Sequence, residues 1–308
     1  MATVTRTDIE AAIEDEFSTR FLDSALESST VLAAFESVPM GKKVQNMPAL
    51  STRPEAKWVG STAATRTKPT SKFSFENKFL TAEELAVIIV LNEEDIEDAS
   101  DDLLARAAGL GGESMGRKLD QTVLFGTDKP ASWTSLALFA AATAAGNIFQ
   151  VGTGANDLVG SIYQAAQAVD DSGADPSGFL SRKGLTYQLA NLRDSTNSPI
   201  YLPSLSASPG SVDNVAGLDA FFNKNGAWDR TKALGMVVDR KAALVGVRSD
   251  ISVKFLDQAT VDGVNLAEND QVALRFRARY AYVLADVMTA EGVRSEPVAA
   301  ITPAPVVP

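Results

Sequence analysis

The residues best suited to chemistry are the carboxylates of one short acidic stretch. NEEDIEDASDD, residues 92–102, carries Glu93, Glu94, Asp95 and Asp98 and contains no lysine or arginine. A metal site here would use Glu93, Asp95, Asp98 and Asp102, and paired carboxylates could act as the acid and base of a glycosidase. The spacing does not match the calcium-loop pattern. Since the helix dipole also favours acidic residues in a first turn, we interpret the stretch as the solvated or partner-facing start of a helix and expect no metal.

Most other catalytic chemistry lacks its residues. The chain has no histidine and no cysteine, which excludes Ser-His hydrolases, thiol nucleophiles and metal centres ligated by His or Cys. The glycine-rich stretches at 109–116 and 151–157 complete neither the dinucleotide-binding fingerprint nor the P-loop. We therefore expect no catalytic residue and no cofactor, and we interpret these glycines as helix-packing or turn residues.

A second charged segment has the opposite sign. Residues 53–80 carry six Lys or Arg and two Glu, a local balance of +4 in a chain of net charge −11. Trp58 precedes a polar tract at 60–70, and Phe73 and Phe75 follow it at a spacing of two. This pattern predicts two strands joined by a long tip, a hairpin that would be marginally stable alone. It is either a mobile surface hairpin or an arm that becomes ordered against another subunit.

The elements before this hairpin must connect it to the rest of the chain. Residues 1–40 carry eight acidic residues against two arginines, and apolar residues recur among them at helical spacing. The pattern predicts an amphipathic arm with one apolar face, which needs a surface to lie on. Pro39, Pro48 and Pro54 then favour an extended path into the hairpin.

A strand and a long helix follow the hairpin. AVIIVL, residues 86–91, predicts a buried strand. Apolar residues then track one face of a helix from about residue 93 to Phe125, with Gly126 placed to end it. Gly109 and Gly111 lie inside this helix, which indicates a bend or the close approach of another part of the chain.

The remaining chain predicts a mixed body and then a strand-rich end. Residues 126–157 form a connection of small residues, 158–173 a helix and 177–195 a short strand followed by a helix. Residues 197–218 are rich in turn formers, and strand patterns dominate beyond them.

The last clear strand alternates sharply between apolar and basic residues. Val272, Leu274 and Phe276 point one way, and the arginines point the other: Arg275, Arg277 and Arg279. One face is therefore core. The arginine row could bind DNA phosphates, but in an acidic chain it more often pairs with carboxylates or faces water.

Composition places the chain among ordinary globular proteins. Its 308 residues are 45% hydrophobic and 22% charged, enough for about two domains with real cores. We expect neither a membrane span nor a secretory signal, because no apolar run approaches about 20 residues. The acidic balance argues against chain-wide attraction to nucleic acid.

In this order the segments resemble the major capsid protein of tailed bacteriophages, whose fold is shared with encapsulins and the herpesvirus capsid floor. Residues 56–98 resemble the extended loop running into the spine helix, and residues 116–130 resemble the end of that helix. Residues 178–203 resemble the axial domain. Residues 237–255 and 272–286 resemble the return into the peripheral domain.

The resemblance implies an α+β fold with an N-terminal arm, an extended β-hairpin loop, a long spine helix, and peripheral and axial domains. It implies this partition: arm 1–52, extended loop 53–80, peripheral domain with spine helix 81–150, axial domain 151–245 and peripheral return strands 246–308.

By the same resemblance, the chain is a structural subunit and not an enzyme. It would self-assemble as pentamers and hexamers into an icosahedral virion shell around double-stranded DNA, in the cytoplasm of a host bacterium. The implied partners are a portal, a separate scaffolding protein and a decoration protein, with no sequence-specific DNA binding and no membrane.

The two charged segments then suggest an interface between subunits. Arg66, Lys68 and Lys72 of one copy would lie over acidic residues of a neighbour, while burial of aromatic side chains supplies affinity. The acidic residues are Glu93, Glu94, Asp95 and Asp98, and the aromatic residues are Trp58, Phe73 and Phe75. An encapsulin-like compartment is the alternative within the fold, and a carboxylate-based hydrolase is the alternative from another class.

Overall fold

The protein is described here from a computed structural model. The structure describes residues 29–52, 56, 58–59, 70, 74–98, 103–152, 157–192, 213–288 and 294–304. The described helices are α1 Thr30–Ala34, α2 Glu93–Asp98, α3 Leu103–Phe125, α4 Leu138–Ala145, α5 Asp157–Asp171 and α6 Leu185–Ala190. The described strands are β1 Glu36–Met40, β2 Val44–Thr52, β3 Ser74–Thr81, β4 Glu83–Asn92, β5 Ile148–Gln150, β6 Gly178–Arg182, β7 Asp213–Val215, β8 Leu218–Asn223, β9 Gly235–Val238, β10 Ala243–Leu256, β11 Thr260–Val261, β12 Val264–Asn265, β13 Gln271–Leu284, β14 Val287–Met288, β15 Arg294–Ser295 and β16 Val298–Thr302.

The first sheet has the strand order β1-β10-β13-β4. Its central strand β13 buries the predicted apolar row, with Phe276 fully buried, while the three arginines on the other face are half-buried. Alternating side chains of one strand point to opposite faces of a sheet, so the predicted orientation of β13 is confirmed. The apolar face packs against α3.

The long helix α3 lies across that apolar face. It spans 23 residues, or about 35 Å, and ends at Gly126, whose φ is 72° and whose N–H donates to Thr122 O at 2.9 Å. The predicted end is confirmed, because glycine adopts this left-handed conformation without strain. Ahead of it, α2 ends at Asp98, and residues 99–102 lie outside the described part.

Strand β4 differs from its prediction as a buried strand. Its residues alternate between half-buried and exposed, with Ile88 43% and Val90 40% exposed. The reason is its position in the sheet. Among the described strands β4 pairs only with β13, and α3 covers only one of its faces.

The second sheet has the order β5-β16-β9-β6-β8-β7 and packs against α5 and α6. The predicted helix at 158–173 and the predicted strand and helix within 177–195 are confirmed. Helix α4 lies in the segment predicted as a connection, so that prediction was wrong. Its run of alanines favours a helix, and Gly146 ends it at a φ of 76°.

A two-stranded hairpin, β2 and β3, projects from the first sheet. The hairpin was predicted, but its first strand lies at 44–52, before Trp58. Pro48 sits within β2 opposite Asn77. Proline donates no backbone hydrogen bond, so it is tolerated in β2, which among the described strands pairs with β3 alone.

Candidate inter-subunit surface

One face of β3 is turned toward the body of the molecule. Leu80, Lys78 and Glu76 alternate along the strand and therefore share this face. Leu80 is fully buried in a small apolar cluster with Met40, Ala82 and others from β13. Lys78 is half-buried and Glu76 is exposed, so contact with the body weakens with distance from the root of the hairpin.

Ion pairs hold the outer part of this face. Lys78 Nζ donates to Leu284 O at 2.9 Å and to Asp286 Oδ1 at 2.5 Å. Arg294 in β15 pairs with Glu76, and its Nη1 lies 3.8 Å from Asp286 Oδ2. Asp286 is thus the shared acceptor between a cation of the hairpin and a cation of the short β14–β15 ribbon.

Glu296 and Tyr282 lie next to this network. Burial raises the pKa of Glu296, the neighbouring Asp286 raises it further, and Lys78 opposes the shift. Burial, with the negative charge of Glu296, also raises the pKa of the Tyr282 hydroxyl. Within the described part, Glu296 Oε2 and Tyr282 Oη have no hydrogen-bond partner. A buried carboxyl or phenol group prefers its uncharged, protonated form when no donor stabilises the anion.

The opposite face of the hairpin is open and carries exposed apolar side chains among polar ones. Phe79 is 49% exposed, and Val44, opposite Thr81 in the neighbouring strand, is exposed as well. Exposed large apolar side chains grouped on one face are typical of surfaces that bind another protein.

The acidic helix α2 lies at the far end of β4 from the hairpin. The hairpin joins β4 at Glu83, whereas α2 begins after Asn92, about 30 Å further along the strand. Glu93, Glu94 and Asp95 are exposed. Their helix is fixed by Glu93 N–H donating to Asp270 O at 2.9 Å, and by Asn92 Nδ2 donating to Asp95 Oδ2 at 2.9 Å.

The structure locates only part of the predicted interface. Trp58 is fully exposed. Phe75 lies in β3 and Asp98 in α2, but their side chains are outside the described part. Four further predicted residues lie wholly outside it: Arg66, Lys68, Lys72 and Phe73. The predicted contact between copies is therefore still a prediction.

Sequence reasoning missed a buried carboxylate on α3. Asp120 is fully buried and accepts hydrogen bonds from Ser29 Oγ at 2.7 Å and from the N–H groups of Thr30 and Val31 at 3.0 and 3.1 Å. Asn223 and Asn225 donate to it at 2.9 and 2.8 Å. Burial raises the pKa of Asp120, and the hydrogen bonds from Ser29, Val31, Thr30 and Asn225 oppose the shift.

A sequence signal for Asp120 does exist. It shares a four-residue spacing with Ala108, Gly112, Gly116 and Leu124, all buried positions of α3. A carboxylate on the buried stripe of a helix needs partners, because an unpaired buried charge is costly.

The arginine row of β13 makes ion pairs. Arg279 Nη2 lies 3.3 Å and Arg277 Nη1 3.9 Å from Glu84 Oε2 on β4. The interpretation that these arginines pair with carboxylates is confirmed for these two.

Among the residues that the structure describes, no three acidic side chains converge in a way that could hold a metal ion. Within the same ranges, no helix combines the length and the hydrophobicity that a membrane span requires.

The two sheets thus carry a projecting hairpin and an exposed acidic helix. A sequence model of the phage capsid family matches residues 10–289. The chain belongs to the phage capsid family. This capsid protein is a structural subunit of a virion shell and not an enzyme, and the chain self-assembles.

Solved structures agree with this assignment. The chain is 43% identical to a protein of Mycobacterium phage Adephagia, with a TM-score of 0.81 and 100% of both chains covered. It is 44% identical to a protein of Mycobacterium phage Cain, with a TM-score of 0.80 over 91% of this chain and 92% of the other. The capsid of an empty GTA particle shares the fold alone, at 14% identity, a TM-score of 0.60 and 90% of both chains covered.

A search of curated proteins found no match. The α+β capsid fold expected from the sequence is confirmed. The findings give no support to the encapsulin or hydrolase alternatives.

Proposed function

We propose that this capsid protein builds pentamers and hexamers that close into an icosahedral shell around double-stranded DNA. In this shell the hairpin of each copy lies on helix α2 of a neighbouring copy. The observation that carries this proposal is the placement of the exposed acidic helix α2 at one end of β4 and of the hairpin, with exposed apolar side chains, at the other. The basic residues Arg66, Lys68 and Lys72 are assigned to the hairpin by the sequence, and complementary charges on two segments of one chain can pair between copies and set their register.

The two faces of the hairpin support this arrangement. Its inner face is bonded to its own subunit through Leu80 and Lys78. Its outer face leaves Phe79 and Val44 exposed, and Trp58 is exposed further out. Burial of these side chains against another copy would supply affinity through the hydrophobic effect, at about 25 cal/mol per Å² of apolar surface.

The partition expected from the sequence is part of the proposal, although several strands cross its boundaries, β1 and β16 among them. Strand β1, from the arm segment 1–52, pairs with β10 in the first sheet. Strand β16, from the return segment 246–308, pairs with β5 and β9 in the second sheet. We assign the first sheet and α3 to the peripheral domain, and the second sheet with α5 and α6 to the axial domain.

The proposal also includes the other proteins of the particle. A portal, a separate scaffolding protein and a decoration protein would complete the particle in the host bacterial cytoplasm. The net charge of −11 per chain gives weak attraction to DNA, so the wall would enclose its contents without sequence-specific binding.

A charge-swap experiment tests the contact between hairpin and helix. Reversing Arg66, Lys68 and Lys72 to Glu should abolish particle formation without unfolding the subunit, because like charges then face each other. Reversing Glu93, Glu94 and Asp95 to Lys should do the same. Electron microscopy measures particles, and circular dichroism measures the fold.

The combined variant, reversed on both sides, provides the matched control. It should recover particles, since opposite charges face each other again. Normal shells from either single reversal, or no recovery in the combined variant, would refute the pairing while leaving the family assignment intact.

A further inference from the structure

We propose that Asp286 is the positioning residue that sets the angle at which the hairpin leaves the capsid subunit. It would do so as the shared acceptor of Lys78 in the hairpin and Arg294 in the β14–β15 ribbon. The inference rests on the proposed function, because the angle matters only if the hairpin must reach a neighbouring copy.

The network attaches the hairpin at two separate points. Lys78 binds Asp286 directly, whereas Glu76 is bound through Arg294. The two attachment points on β3 are two residues, or about 7 Å, apart. A single contact would leave the hairpin free to pivot, but two contacts along one strand resist rotation.

The ion pair between Lys78 and Asp286 is partly buried, and its geometry is fixed by a further hydrogen bond. The side chains of Lys78 and Asp286 are only 21% and 23% exposed, so solvent screens their pair less than it screens a surface pair. Lys78 Nζ also donates to Leu284 O, which fixes the ammonium between two acceptors. Ordered, partly buried charge pairs specify geometry better than exposed pairs do.

Other contacts fix the root of the hairpin but not the direction of its outer part. Trp133 Nε1 donates to Thr81 O at 3.0 Å, and Ala82 N–H donates to Lys43 O at 2.8 Å. A Cβ at Gly246 would lie 2.9 Å from both Leu80 Cδ2 and Ala281 Cβ, so the root packs tightly on β10 and β13. These contacts lie at Leu80, Thr81 and Ala82, at the root of the hairpin, whereas the ion pairs lie further out, at Lys78 and Glu76.

Glu296 separates a specific role of Asp286 from a general effect of charge. It is close enough to Lys78 and Asp286 for their charges to shift its pKa, yet none of the described ion pairs of the network includes it. Replacing Glu296 with Gln removes a nearby carboxylate and leaves the Lys78–Asp286–Arg294–Glu76 chain intact.

Distance measurements in the whole subunit test the proposal. Because the chain has no cysteine, spin labels can be placed on a Val59→Cys, Ser114→Cys background, in which both exchanged side chains are exposed. Labelled chains are diluted with unlabelled chains, so that only distances within a subunit are read by pulsed electron resonance. Asp286→Asn should broaden the distance distribution and produce particles of mixed diameter, with little change in Tm.

Glu296→Gln and Asp128→Asn serve as matched controls, the second because it removes an exposed pair with Lys118. Both should keep the wild-type distribution. An unchanged distribution in Asp286→Asn, or equal broadening in Glu296→Gln, overturns the proposal.

If Asp286→Asn lowers Tm sharply, the exposed Arg294→Gln variant tests the same bridge and must broaden the distribution of distances. Wild-type chains that form no shells would refute the proposed function, while the distances would still test Asp286.

Discussion

At the scale of single residues, Asp120 shows how a buried charge can join distant parts of the chain. Its carboxylate lies at the first turn of α1 and accepts from backbone N–H groups that have no partner within the helix. The helix dipole also favours a negative charge there. Arg240 Nε donates to Ala34 O at 2.8 Å at the other end of the same helix. Charged groups from α3 and from the β9–β10 connection therefore hold both ends of α1.

Replacing Asp120 with Asn should destabilise the protein by about 1–3 kcal/mol, because the amide turns an acceptor into a donor and leaves buried donors unpaired. Denaturant unfolding measures the change. The control is Asp128→Asn, which removes an exposed ion pair and should change the free energy of unfolding by about 0.5 kcal/mol or less. Equal effects of the two substitutions would contradict this account of Asp120.

The raised pKa of Glu296 makes stability depend on pH. Because its pKa in the folded chain lies above the ordinary value of 4.5, folding binds the proton more tightly. That contribution is present at low pH and is lost as the pH rises through the folded pKa. Glu296→Gln stays neutral, so it should gain stability relative to wild type as the pH rises from 4.5 toward neutrality.

Urea unfolding of both chains across that pH range measures the difference between them. A difference that does not change with pH would show that Glu296 ionises equally easily in the folded and unfolded chain.

At the scale of elements, the glycines of α3 have different roles. A Cβ at Gly111 would lie 3.0 Å from Phe276 Cδ2, whereas a Cβ at Gly109 would meet nothing within 4 Å. The close approach predicted from the sequence is therefore real at Gly111. It lets α3 lie directly on the ring of a fully buried phenylalanine in β13.

The two glycines form a matched pair for mutation. Gly109→Ala should stabilise the protein by up to about 1 kcal/mol, because alanine has the higher helix propensity. Gly111→Ala gains the same propensity but crowds Phe276, which cannot move freely in a packed core, so it should destabilise by about 1–2 kcal/mol. Thermal unfolding compares them, and equal shifts of Tm would contradict the packing argument.

At the scale of the whole molecule, the folded chain leaves aromatic and apolar surface uncovered. Of the three tryptophans, Trp133 and Trp228 are buried, whereas Trp58 is fully exposed. Contact of such an apolar side chain with water is unfavourable, so its burial against another copy would stabilise the assembly. The free subunit is thus incomplete by this measure, as the proposed shell requires.

Assembly should therefore move the tryptophan fluorescence to shorter wavelengths as Trp58 leaves water. The Trp58→Phe variant should lose this shift, while Trp228→Phe should keep it because Trp228 is buried before and after assembly. A shift that survives in Trp58→Phe would remove Trp58 from the interface.

Features that depend on local chemistry could be predicted from residue types and spacing. The absence of histidine and cysteine, the alternation in β13, the end of α3 at Gly126 and the opposite charges of two segments follow from residue types and spacing. Such patterns act over a few residues, so no knowledge of the fold is needed to recognise them. The order of the segments carried the resemblance to a family that the comparisons confirmed.

Which distant residues meet depends on the fold as a whole. Lys78 and Asp286 are 208 positions apart, and Asp120 lies 91 positions from Ser29. Sheet topology brings these groups together, and periodicity in a single chain contains no information about strand order. For the same reason β4 looked buried from its composition but proved half-exposed, because burial depends on which faces other elements cover.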